Sequence, residues 1–151
     1  MQHHPAKEKK IIGWREFIDL PEWGIRNIRA KIDTGARTSS LHVEDIRVLG
    51  NNQISFFVIV QIKNTLRRKK VVAERLKQGH VKSSTGDRTR RWYVKTKIRI
   101  GDFQRDITLN LVGREDMNFR MLLGRTALED AFLVDVDRSF LVSKKRKVER
   151  T

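Results

Sequence analysis

Two short stretches hold the residues best suited to chemistry. The first is Lys31-Ile32-Asp33-Thr34-Gly35-Ala36, running on into Arg37-Thr38-Ser39-Ser40. A carboxylate at the end of an apolar alternation could act as acid or base, but Asp and Gly are also ordinary turn residues. The second is Met121 to Leu128, MLLGRTAL, about ninety residues later. There an apolar run ends at Gly124, Arg125 follows, and a short helix begins. Taken singly, the first reads as an Asx-turn and the second as a strand-to-helix turn that needs glycine.

The elements around them are short and β-like. Ile28, Ala30 and Ile32 alternate with Asn27, Arg29 and Lys31, the period of a half-buried strand that leads straight to Asp33. Ile54 to Ile62 is the most apolar strand. KNTLRRKK after it reads as a basic loop or hairpin turn before VVAERL. In RWYVKTKIRI, Trp92, Val94, Thr96, Ile98 and Ile100 share one face; Gly101-Asp102 turns the chain into FQRDITLNLV. RTALEDAF predicts a two-turn helix, and FLVDV and SFLV predict closing strands. Many short strands with one late helix predict an all-β fold, a closed or nearly closed β-barrel. The expected organisation is a tail over 1–10, one domain over 11–142, and a basic tail over 143–151.

Composition narrows the partners. The chain has 151 residues, enough for one core, and 33 Lys plus Arg against 18 Asp plus Glu, a net charge of +15. Such a chain attracts polyanions: nucleic acid, acidic polypeptide or anionic lipid. With no cysteine, disulfides and thiolate chemistry are excluded. No apolar run reaches the length of a membrane span, and the N-terminus lacks a signal-peptide core, so no membrane role is expected and the cytoplasm is the default compartment.

Together the two motifs resemble the retropepsin-like aspartic proteases, which carry apolar-Asp-Thr/Ser-Gly-Ala near the start and apolar-apolar-Gly-Arg-x-x-Leu near the end. More narrowly, KIDTGARTSSLH, VKSSTG, RRWYV and MLLGRTAL look like a bacterial group of small retropepsin-like proteins labelled ATP-dependent zinc proteases. Members stand beside, or fused to, ATP-grasp glutamate ligases. The resemblance spans Ile11 to Val142.

It implies a closed retropepsin-like barrel with one short C-terminal helix, acting as an aspartic endopeptidase on a peptide substrate. Peptide hydrolysis by carboxylates needs two of them sharing one proton. This chain has one Asp-Thr-Gly, so the resemblance implies a homodimer in which each subunit supplies Asp33. Thr34 would bond across the two-fold axis, and Gly35 would bring the backbone close to substrate. Ala36, Arg37 and Arg125 would contact substrate, as would Ser83, Ser84 and Gly86 on a flap spanning 82–87. A functional link to a glutamate ligase follows from the same resemblance.

One departure stands out. Viral retropepsins carry a second Asp four residues after the first, paired with the Arg of Gly-Arg; here that position is Arg37. Two cations where an ion pair is expected need an anion. It could be Glu44 or Asp45, a carboxylate of the partner subunit, or an acidic substrate, which arginine recognises in bidentate fashion.

The zinc label finds no support. There is no His-Glu-x-x-His, the histidines stand at His3, His4, His42 and His80, and His42-x-Glu44-Asp45 is poor ligand spacing. No phosphate-binding glycine loop is present, so neither metal nor cofactor is expected. A rival reading rests on the basic runs at 67–70, 88–91 and 144–147: a catalytically weak or inactive barrel that binds acidic polypeptide, RNA or ribosomal components. Nucleic acid ranks behind peptide as the partner.

Overall fold

The structure, a computed structural model, describes residues 8–82, 86, 88–113 and 118–145. In chain order the strands are β1 (Lys10–Gly13), β2 (Arg15–Leu20), β3 (Ile25–Ile32), β4 (Ser39–Val48), β5 (Gln53–Ile62) and β6 (Thr65–Glu74). Then come β7 (Lys77–Lys82), β8 (Arg88–Ile100), β9 (Phe103–Val112), β10 (Met121–Leu123) and β11 (Phe132–Asp135). A 3-10 turn over Pro21–Trp23 links β2 to β3, and α1 (Arg125–Leu128) follows β10.

Six strands close a ring. The order β10-β3-β2-β8-β9-β4 returns on itself because β10 pairs in parallel with β3 and antiparallel with β4. The fold is therefore the all-β barrel expected. Alternation decides the inward faces: Ile28, Ala30 and Ile32 of β3 are buried, as are Val94, Thr96, Ile98 and Ile100 of β8. They meet Phe56, Leu41, Leu109, Met121 and Leu123 in one core. Each such aliphatic or aromatic side chain contributes about 1.5–3 kcal/mol by leaving water.

Two hairpins project from the ring. β6 pairs with β5 along its whole length, so only Lys63-Asn64, at φ 46° and 54°, form the turn. That double positive φ suits a two-residue hairpin. The expected basic loop over KNTLRRKK is therefore mostly strand. β7 pairs with β8 from Lys77↔Tyr93 to Lys82↔Arg88. No helix among the described residues is long and apolar enough to cross a membrane.

The C-terminal region differs from expectation in two further ways. The helix is one turn, ending where Glu129 adopts an extended ψ of 136°. SFLV makes no strand. Its backbone is instead held by Glu16, which is fully buried. The Glu16 carboxylate accepts from the N–H groups of Gly13 (2.7 Å), Leu141 (2.9 Å), Val142 (3.3 Å) and Ser143 (3.2 Å), and from Ser143 Oγ (2.6 Å). Several such donors can hold a carboxylate inside a protein without a cation. Ser143, assigned to the tail from sequence, is thus buried against the barrel.

Candidate functional site

The loop that carries Asp33 runs from the end of β3 to the start of β4, and β10 passes between those two strands. β10 fixes the loop's start: Asp33 N–H donates to Leu123 O at 2.8 Å. The loop then turns on itself. Ala36 N–H reaches Asp33 O at 3.2 Å, and Gly35 N–H donates to Asp33 Oδ1 at 3.1 Å. The carboxylate thus makes the Asx-turn that a bare Asp-x-Gly predicts, while staying half-buried at the edge of a cleft.

The Gly124-Arg125-Thr126 turn clamps the loop's second half. Gly124 N–H donates to Ser39 Oγ (3.0 Å), Arg125 N–H to Ala36 O (2.8 Å) and Thr126 N–H to Arg37 O (3.1 Å). Thr126 Oγ1 adds a bond to Arg37 O at 2.9 Å. The free N–H groups at the start of α1 are thereby satisfied by loop carbonyls. Gly124 is required for close approach, not for conformation. A Cβ there would lie 2.6 Å from Thr38 C and O and 2.9 Å from Ala36 O.

The cleft has a volume of about 960 Å³. Asp33, Gly35, Ala36 and Arg37 form one wall, with Thr38 and Ser40 beside them. Lys77, His80, Val81 and Lys82 of the β7–β8 hairpin also line it, as do Asp106, Thr108 and Asn110 of β9. β7 packs closely on its partner, since a Cβ on Gly79 would stand 2.9 Å from Tyr93 Cε2. The lining thus carries three cations, Arg37, Lys77 and Lys82, and two carboxylates, Asp33 and Asp106.

Under the loop lies a polar network that the sequence did not reveal. Asn110, almost wholly buried, accepts from Ser40 Oγ (2.8 Å) and Arg91 Nη1 (2.9 Å) and donates to Ser39 O (3.0 Å). A lone amide in the apolar run of β9, opposite three hydroxyl residues after Arg37, was the available signal. A buried amide with its bonds made locks the register of its neighbours.

Not every expected site residue converges. Arg125 and Thr34 do not line the cleft. The Arg125 guanidinium donates to Thr34 O at 2.9 Å, and both residues border a separate hollow of about 350 Å³ with Leu128, Phe132 and Val134. Gly86, at φ 88°, is on the hairpin tip but does not line the cleft; Ser83 and Ser84 lie outside the described residues. The expectation that these two cations need an anion beside them is corrected: Arg37 and Arg125 are both exposed to solvent. Glu44 and Asp45 are engaged elsewhere, with Arg68 and Arg47, each at 3.2 Å. A zinc site does not fit the side chains either. His42 Nδ1 faces Arg120 Nη1 at 3.0 Å, and no group of three His, Asp or Glu among the described residues could hold an ion.

A ring-closed barrel whose Asp-Thr-Gly loop is tied to a Gly-Arg-Thr turn is the architecture of a retropepsin-like chain. The chain belongs to the RimB-like family, whose model, described as retropepsin-like aspartic endopeptidase RimB, matches residues 11–145. It is 36% identical over 151 residues to a probable alpha-L-glutamate ligase of Shewanella pealeana, matching 95% of this chain and 32% of that one. A probable alpha-L-glutamate ligase of Desulfotalea psychrophila is 36% identical over 134 residues, which are 84% of this chain and 28% of the other. The chain thus spans about a third of the length of these relatives. The crystal structure of Lpg0085, a Legionella pneumophila protein of unknown function, is similar with a TM-score of 0.72 at 29% identity, covering 89% of this chain and 99% of that one.

Proposed function

We propose that the protein is an aspartic endopeptidase that works as a homodimer, each subunit giving Asp33 to one shared site. The supporting observation is the setting of the Asp33-Thr34-Gly35 loop. Its carboxylate lines a large cleft, while Thr34 is exposed and borders a separate hollow. A second copy approaching Thr34 across a two-fold axis would bring its own Asp33 beside the first.

The chemistry follows from the pair. One Asp33 carboxylate takes a proton from water as the oxygen attacks the peptide carbonyl carbon. The other, protonated, gives its proton to the carbonyl oxygen. The resulting gem-diol then collapses: the C–N bond breaks, the departing nitrogen takes the proton held by the first carboxylate, and one diol hydroxyl returns its proton to the second carboxylate as the carbonyl re-forms. Gly35 N–H steadies Asp33 throughout, and Arg125 braces the loop through Thr34 O.

The preferred substrate is acidic peptide, because Arg37, Lys77 and Lys82 border the cleft and arginine and lysine pair with carboxylates. This agrees with a functional link to an α-L-glutamate ligase, the name carried by the relatives above. A second reading, a barrel that binds acidic polypeptide or ribosomal components without cleaving them, draws on the net charge of +15. Asp33→Asn separates the two. Peptide cleavage lost with dimerisation kept supports the peptidase; a wild type that binds acidic peptide in the cleft but never cleaves it supports the binding module.

A further inference from the structure

We propose that the open edge of β6 is a docking site for an extended, acidic polypeptide segment that adds to the sheet as a further strand. β6 has 10 residues, ends the strand order, and pairs among the described residues only with β5. Its outer edge therefore presents a row of backbone N–H and C=O groups, the template for strand addition.

The side chains select the partner. Arg67, Arg68, Lys69 and Lys70 are consecutive and all exposed. In a strand they alternate, so Arg68 and Lys70 stand on one face and Arg67 and Lys69 on the other. One inward charge suffices to discourage edge pairing; here both faces are cationic. Like charge repels a second copy of this edge. The same charge favours an incoming strand with acids on both faces, which means a run of consecutive Glu or Asp.

Two of the cations are already positioned. Arg68 pairs with Glu44 at 3.2 Å and lies 4.2 Å above the Phe57 ring, and Lys69 donates to Gly24 O at 3.2 Å. Arg67 and Lys70 have no ion-pair partner among the described residues. Leu66 and Val72, 63% and 48% exposed, bracket the basic run on the face of Arg68 and Lys70. They offer apolar contact to residues flanking an acidic run. A nucleic acid would use the cations alone; the open backbone edge and the two apolar side chains favour polypeptide.

β6 contributes no residue to the cleft, so this surface stands apart from peptide hydrolysis. The test uses the full chain carrying Asp33→Asn, to prevent turnover. The probe is a synthetic peptide matching the 10 residues of β6, acidic through its middle with a leucine toward each end. Its twin is N-methylated at alternate residues, which removes backbone donors but keeps the charge. Amide hydrogen exchange should slow by about tenfold or more at the alternate β6 amides that face away from β5. The pair Arg67→Glu and Lys70→Glu should weaken binding about tenfold, and the N-methylated twin should bind more weakly still. Protection confined to the cleft strands would overturn the docking site while leaving the peptidase reading intact. Equal binding of the twin, or of an RNA oligonucleotide with no protection of β6, would reduce the surface to a general polyanion patch and overturn it too.

Discussion

Gly124→Ala probes the clamp that positions Asp33. Gly124 has φ −84° and ψ 176°, an extended conformation that alanine adopts freely. The substitution therefore acts by contact alone. Its Cβ would meet backbone, Thr38 C and O at 2.6 Å and Ala36 O at 2.9 Å, and backbone cannot rotate away as a flexible side chain can. The loop must retreat. Overpacking of this kind costs about 1–3 kcal/mol. Retreat also stretches the bonds from Gly124, Arg125 and Thr126 to the loop, and losing one adds about 1 kcal/mol. The expected loss is about 2–4 kcal/mol, a large share of the stability of a small domain. A 1 Å displacement of Asp33 would slow cleavage by about a hundredfold. Urea unfolding followed by tryptophan fluorescence gives the first quantity, and peptide cleavage on the folded fraction gives the second. Gly50→Ala is the control, since nothing lies within 4 Å of a Cβ there. If Gly124→Ala is as stable and as active as Gly50→Ala, the clamp does not position the loop.

Other substitutions test separate parts of the account. Asn110→Leu leaves Ser39 O and the Arg91 guanidinium without their amide partner, and should cost about 1–3 kcal/mol in urea unfolding. Glu16→Gln keeps the shape but halves the acceptor capacity facing five donors; it should lower stability by about 2 kcal/mol and speed exchange at the amides of Leu141 to Ser143. An unchanged midpoint in either variant would count against the bonding described. Arg37→Ala should lower kcat/KM for acidic peptides more than for neutral ones, and an unchanged ratio would remove Arg37 from substrate selection.

The barrel was legible because some of its ring strands alternate between a buried and a more exposed face. β3 and β8 show this plainly. β6 was missed for the opposite reason. From Thr65 to Lys70 it is exposed on both faces, so it carries no apolar period and its charges read as a solvated loop. The strand exists because β5 supplies backbone partners, which no pattern within Arg67 to Lys70 could announce. The candidate site was legible as motifs but not as distances. Asp33, Gly35, Ala36 and Arg37 do share a cleft, and Thr34 does not line it. Arg125, expected to contact substrate, instead donates to Thr34 O and borders the separate hollow, although its neighbour Thr126 lines the cleft. The supposed conflict between Arg37 and Arg125 assumed burial, and exposure removes it. Asn110 was a single polar letter in an apolar run and Glu16 one charged letter beside another, and they make bonds to residues 71 and 127 positions away in sequence.

The central claim is that two copies of Asp33 make one site, and subunit mixing tests it most directly. Wild-type and Asp33→Asn chains are combined at constant total concentration, allowed to exchange, and assayed for peptide cleavage. A dyad built from two subunits predicts activity that falls as the square of the wild-type fraction, because any mixed dimer is inactive. Activity that falls in simple proportion to the wild-type fraction would mean that each chain works alone, and would contradict the shared site.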